Sequence, residues 1–422
     1  MDYKGKKLLV LGGAFQHCKL VREAQKQGIY TIVTDNLPVE DSPGKQIADE
    51  HWLLNIYDIE GLVQKCREEK VDGIASAWLD PCQRPYAELC KQLDMPAYAT
   101  PEQVVKMTDK IAFKAMCVEY GVDIIPDYTL EDVANKTIQF PVFVKPVDSR
   151  GSRGQTICYG YEELDAAIRF AQAESSNGGV LIEKYMANVN EFHVTYFFVD
   201  GEPYLVRGSD NYCGPKELGM EKVVSCAIYP SRFLQAYIDG PHKNVVNMFR
   251  NLGIQNGPIF MQGFRDGDKF RFFDPGLRFP GVDCELVIQE ATGNNYMKAM
   301  IDIALTGACH IPKPVDCYKL NSKVSSVLYL NVRPGIVTEI QNNDAIAKHP
   351  NVIAYLQRCK VGDLVSWSYN VNQRFAEIDI LADTMEELSA TMDWIQKTIV
   401  VLDENGENMI FNRFDLHRIE NK

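Results

Sequence analysis

The sequence predicts a multidomain chain of mixed α/β and α+β class: an N-terminal Rossmann-like parallel α/β layer, a central α+β fold and a C-terminal α+β lobe. Three observations carry this. The chain has 422 residues, more than one ordinary core accommodates. Over the first hundred residues apolar strands alternate with amphipathic helices, the rhythm of βαβ units on a parallel sheet. Beyond that, strands come in hairpins with separate helices, the α+β pattern.

In the first block, expected to span 1–105, "KLLVLGG" reads as a buried strand and "QHCKLVREAQKQG" as a helix ended by Gly28. "IYTIVTD" is a second strand, "IEGLVQKCREEK" a second helix and "DGIASAW" a third strand. The second block, 106–312, is heralded by Thr100-Pro101, a cap with Pro at the first helical position of "TPEQVVKMTDKIAFKAMCVEYGV". The strand "FPVFVKP", the helix "YEELDAAIRFAQAE" and the strand "GVLIEKYM" follow, forming a lid subdomain over about 110–186. "EFHVTYFFVDGEPYLV" is a hairpin turned at Asp200-Gly201. One long helix is expected around "FLQAYIDGPHKNVVNMFRNLG", then the hairpin "PIFMQGFRDGDKFRF" ending in a stiff loop, "FFDPGLRFPG". The third block, 313–422, holds the strands "SSVLYLNV", "DLVSWSY" and "FAEIDILAD" and the helix "TMEELSATMDWIQKTI".

Composition narrows the function. The chain is 46% apolar and 24% charged, with a net charge of −13. That balance argues against a nucleic-acid or anionic-membrane partner, both of which need a cationic surface. The twelve Cys stand singly, without Cys-x-x-Cys pairs, which reads as reduced thiols in a cytoplasmic protein. The N-terminal "MDYKGKKLLVLGG" resembles neither a signal nor a transit peptide, and no apolar run approaches a membrane span.

Three stretches of the central block carry chemistry. Lys145 ends a strand and meets the loop "VDSRGSRGQ"; Gly151 and Gly154 allow successive N–H groups to converge on an anion, and the ammonium neutralises phosphate oxygens. The bland alternative is a flexible surface turn. At "LIEKYM", backbone groups of Lys184 and Met186 are placed to pair with an adenine edge, Glu183 to accept from its exocyclic amine, and Glu191 to accept a ribose hydroxyl. A solvated strand face is the competing reading. Gln262 and Asp274 lie on the two strands of the late hairpin, so two oxygens meet across the ladder, as Mg2+ with phosphate and water requires. Arg278 then offers a fixed fork to a phosphoryl or carboxylate group; an ordinary salt bridge to an Asp is the alternative. "VLGGAFQH" with Asp35 superficially matches a dinucleotide fingerprint but lacks its full glycine pattern.

Taken together, "TDKIAFKAM" with Lys110, "FVKPVDSRGSRG", "IEKYM", "MQGF" and "DPGLRFPG" resemble, in this order, the ATP-grasp superfamily of carboxylate–amine ligases. The last hundred residues look like the C-terminal lobe of its L-amino-acid ligase branch, close to the carbamoyl-phosphate synthetase-like members. The resemblance implies a central ATP-grasp fold and an ADP-forming ligase that makes a C–N bond through an acyl phosphate. It implies ATP and Mg2+, with Mn2+ as a substitute, small carboxylate and amine substrates such as amino acids, and pairing as a homodimer. It assigns catalysis to Arg278 and Lys145. Nucleotide binding falls to Lys110, Lys145, Ser149, Gly151, Ser152, Arg153, Gly154, Glu183, Lys184, Met186 and Glu191, and metal binding to Gln262 and Asp274. Two departures stand out: Asp274 replaces the usual Glu, and Gly276 stands where many members carry Asn. A nucleotide-binding protein without turnover is the alternative they leave open. "RGSDNYCGPKELG", Arg207 to Gly219, is expected to be a substrate loop.

Overall fold

The computed structural model describes residues 2–147, 154–186, 189–220, 223–281, 284–368 and 371–420. The N-terminal layer is parallel, as its alternation predicts: β1 (Lys7–Leu11), β2 (Tyr30–Asp35), β3 (Glu50–Leu53) and β4 (Gly73–Ala75) take the order β3-β2-β1-β4. β1 has four buried apolar residues in succession, Leu8 to Leu11, because helices cover both faces of a parallel sheet. Glycine 73 lets β4 run close beneath the helix Tyr296–Thr306, since a Cβ there would sit 2.5 Å from the Ala304 carbonyl oxygen.

The lid is a small antiparallel sheet of β5 (Asp127–Tyr128), β6 (Val142–Pro146), β7 (Thr156–Cys158) and β8 (Val180–Lys184), ordered β5-β8-β6-β7. The helix Tyr161–Glu174 covers it and closes a core of its own around Val142, Val144, Leu164 and Ile182. The lid residues Ser149, Gly151, Ser152 and Arg153 lie outside the described residues. Gly154 is buried at φ +69°, a left-handed conformation that suits glycine.

One large sheet then spans most of the remaining chain. Its strands are β9 (Asn190–Val199), β10 (Glu202–Cys213), β11 (Val224–Tyr229), β12 (Gly257–Asp266), β13 (Lys269–Gly276) and β14 (Val324–Val332). Further along are β15 (Gly335–Ile336), β16 (Glu339–Gln341), β17 (Val352–Gln357), β18 (Leu364–Val365), β19 (Arg374–Ala382), β20 (Val400–Leu402) and β21 (Ile410–Asn412). The order is β13-β12-β9-β10-β11-β14-β19-β17, with β21 also on β14, while β15–β18 and β16–β20 form two small ribbons. β11 pairs antiparallel with β14, so the strands after residue 313 continue the sheet begun before it.

Four expectations change. The segment from Thr100 is two helices, Pro101–Thr108 and Lys110–Glu119; Asp109 ends the first and caps the second, accepting from the Ile111 and Ala112 N–H groups. The segment 233–253 is likewise two helices, Leu234–Asp239 and His242–Arg250, interrupted at Gly240-Pro241. "RGSDNYC" is no loop: β10 runs through it to Cys213, and Arg207, Ser209, Asp210 and Asn211 are all buried. Finally, β13 extends through Asp274 to Gly276, so Pro275 lies in an edge strand rather than in a loop.

Candidate active site

The hairpin β12–β13 sets Gln262 directly opposite Asp274, and the same row continues to His193 on β9. Burial pushes the Asp274 carboxyl up and the charge of Asp80 adds to this, against the opposing cations Lys110, Lys145 and Arg278. Lys110, Lys145 and Arg278 therefore all act on Asp274, although they come from a helix, the lid sheet and the segment after β13. A carboxylate disfavoured by burial, facing an amide oxygen, fits a divalent cation that takes its other ligands from phosphate and water.

Lys145 is buried and its Nζ lies 2.6 Å from Glu183 Oε2. The other Glu183 oxygen is taken by Lys114, which also reaches Asp127. Burial alone would raise the Glu183 carboxyl, yet Lys145 and Lys114 hold it below the usual carboxylate range. For Lys145 burial is the leading influence, and with Lys110 and Lys114 it outweighs Glu183 and lowers the ammonium pKa. Glu183 is thus a clamp for two lysines, with both of its carboxylate oxygens engaged. Sequence reading missed Lys114. Its signal was a lysine on the apolar face of an amphipathic helix, between the buried Phe113 and Cys117.

At the end of β8 the Lys184 N–H already donates to the Pro126 carbonyl at 2.9 Å, which leaves the Lys184 carbonyl and Met186 for an edge-on contact. The Lys184 side chain is exposed, 3.9 Å from Asp266. Glu191 is half-buried on β9; its Oε1 lies 2.6 Å from His193 Nε2, and the Cys213 thiol donates to its Oε2 at 3.3 Å. His193 therefore orients a carboxylate, rather than standing alone as a base.

Arg278 is the end of an ion pair across the domain boundary. Its Nε and one terminal nitrogen engage the two oxygens of Asp80, the latter at 2.6 Å, while the other terminal nitrogen donates to the Phe279 carbonyl at 2.9 Å. Its guanidinium stacks 4.6 Å above the Phe260 ring. That ring explains Gly276: a Cβ there would approach Phe260 Cε1 to 2.3 Å, so the Asn of other members has no room.

The N-terminal glycine turn is closed on itself. Asp35 accepts from the Gly13 N–H at 2.9 Å and from Ser42 Oγ at 2.7 Å, and it pairs with Lys45 Nζ at 2.7 Å. A Cβ on Gly13 would meet Ser42 Oγ at 1.9 Å. With its carboxylate so engaged, Asp35 holds the turn rather than a ribose. The twelve cysteines are all free thiols, eleven of them buried. Among the described residues no helix is long and apolar enough to cross a membrane, and no cluster of three or more His, Cys, Asp or Glu forms a metal site.

Comparison with known proteins bears on the family and the fold. Residues 109–257 match the family model of the carbamoyl-phosphate synthase L chain, ATP binding domain. Over 217 residues, 46% of this chain, the sequence is 24% identical to human mitochondrial pyruvate carboxylase, and the match spans 18% of that protein's length. The L-amino acid ligase of Bacillus licheniformis superposes with a TM-score of 0.76 at 17% identity, covering 95% of this chain and all (100%) of that one. The biotin carboxylase domain dimer of Hydrogenobacter thermophilus 2-oxoglutarate carboxylase, solved with MgADP, ADP and bicarbonate, gives 0.76 at 18%, covering 96% and 91%. At these identities the structural likeness is one of fold.

Proposed function

We propose that this chain, which carries the ATP-grasp domain of the carboxylate–amine ligase superfamily, is an ADP-forming ligase that joins a small carboxylate to an amine through an acyl phosphate. The observation that carries the reading is the Gln262–Asp274 pair in register on one hairpin, with Lys110, Lys145 and Arg278 acting on it.

Lys110 and Lys145 bind the phosphates of ATP, together with the glycine loop from Ser149 to Gly154, of which 149–153 lie outside the described residues. The Lys184 carbonyl and Met186 receive the adenine edge, and Glu191 the ribose. Glu183 fixes the Lys145 ammonium in place, so its charge is positioned before ATP arrives. Gln262 and Asp274 would hold Mg2+, or Mn2+ in its stead; when bound, the metal neutralises charge on the phosphoryl oxygens. Arg278 faces the transferring group and the tetrahedral adduct formed when the amine displaces phosphate. Little covalent work falls to the protein, so positioning and exclusion of water dominate. Amino acids are suitable substrates on either side of the bond, and pairing into a homodimer fits the reading.

The test is ADP release by the full chain with ATP, Mg2+ and a pool of amino acids and small acids. The expected result is release that needs two co-substrates and stops when EDTA removes the metal. ATP-induced thermal stabilisation with no release under any pool would overturn the ligase reading in favour of nucleotide binding alone.

A further inference from the structure

The large sheet carries a buried cation for which the described residues offer neither a hydrogen bond nor a salt bridge. Arg207 on β10 is 1% exposed, and none of its guanidinium nitrogens has a hydrogen-bond partner. Among the described residues it forms no salt bridge; its nearest recorded aromatic contact is the Tyr229 ring, 4.9 Å from the guanidinium carbon. Arginine does not deprotonate in a protein, so burial cannot remove this charge. An unpaired buried charge is strongly unfavourable, and a fold keeps one where an anion is to arrive.

Position says which anion. Arg207 pairs in register with Thr195, Thr195 with Phe260, and Phe260 with Gly276. The adjacent row on the same face runs His193, Gln262, Asp274. Arg207 thus stands on the metal-pair face, one row away and two strands from Gln262, roughly 10–12 Å between backbones from strand spacing and rise, with Asp274 one strand further. Thr195 Oγ1, between Arg207 and the Phe260 ring under Arg278, is also fully buried and without a partner. Arg278 already has Asp80; among the described residues no salt bridge joins Arg207 to a carboxylate.

We propose that Arg207, with Thr195, binds a second oxyanion of the acyl substrate, so that the preferred substrate carries a carboxylate or phosphate besides the carboxylate that is activated. This rests on the ligase reading for which group reacts, but the anion site itself does not need turnover. The guanidinium fork matches either oxyanion bidentately.

Two measurements on the full chain test it. Without ligand, Arg207→Met should melt at a higher temperature than wild type, because a shape-similar apolar side chain replaces an unpaired charge; a lower melting temperature would make Arg207 structural and overturn the proposal. In titrations without nucleotide, glutarate, L-glutamate or phosphoglycolate should stabilise wild type and leave Arg207→Met unmoved, while valerate moves neither. The dicarboxylate and phosphate arms identify the oxyanion. Equal responses to glutarate and valerate, or none to any dianion, sink the inference. Dianion binding without ADP release would leave it standing and remove the ligase reading; ADP release that favours valerate would do the reverse.

Discussion

Asp80 and Arg278, 198 residues apart in sequence, form a two-pronged ion pair that joins the start of an N-terminal helix to the end of the β12–β13 hairpin. The pair pre-sets the guanidinium over the Phe260 ring. It also places a carboxylate beside the group that the proposed reaction asks to stabilise negative charge.

That arrangement separates two variants. Arg278→Ala should lower kcat by about 10²–10³-fold, the scale of removing one preorganised donor, with ADP affinity little changed. Arg278→Lys should not rescue it, because an ammonium cannot reproduce the fork. Steady-state kinetics with a fluorescent-ADP titration check both; an unchanged kcat in Arg278→Ala would remove the arginine from the chemistry.

Glu183 holds Lys145 and Lys114 in a nearly dry site. Glu183→Gln removes the charge both lysines share, and should cost about 3–5 kcal/mol in urea unfolding. Lys114→Met should cost less, since Glu183 keeps Lys145. Equal losses from the two variants would mean that the clamp does not act through charge.

At Gly276 the expected effect is steric. Gly276→Asn drives its Cβ into Phe260 and should destabilise by roughly 1–3 kcal/mol, the cost of overpacking. In the double variant with Phe260→Ala the two losses should fall short of their sum by more than about 1 kcal/mol. Additive losses would place the conflict elsewhere.

His17 sets a pH dependence. It is fully buried beside Trp78, and burial, with Lys19 adding, lowers its pKa from 6.5 to about 4. Between those values the unfolded chain binds a proton that the folded one refuses. The contribution is therefore whole above pH 6.5 and is lost as the pH falls toward 4, on the order of 3 kcal/mol in total. His17→Leu should flatten the urea midpoint against pH across that window, and an unaltered profile would refute the assignment.

The local frame of the candidate site was legible in the sequence. Lys145 before its glycines, and Gln262 with Asp274 on a hairpin, are local patterns, because strand alternation and a tight turn dictate which side chains face each other. The glycine at 276 was legible only as a departure; the Phe260 ring that requires it comes from the neighbouring strand. Lys114 stands on the apolar face of its helix, which marks it as buried, but the two carboxylates that hold it come from β5 and β8 and show only in the fold.

The sequence by itself determined the parallel character of the N-terminal layer and the hairpins, since these follow from periodicities of two and 3.6 and from turn chemistry over a few residues. Only the tertiary structure decided that β14 and β19 extend the sheet of the central block, that Asp80 reaches Arg278, that Asp35 closes a turn, and that Arg207 is buried with no salt bridge among the described residues. Each of those depends on which distant segments pack together, and burial converts a charge that water would have screened into one that must find its partner in the protein or in a ligand.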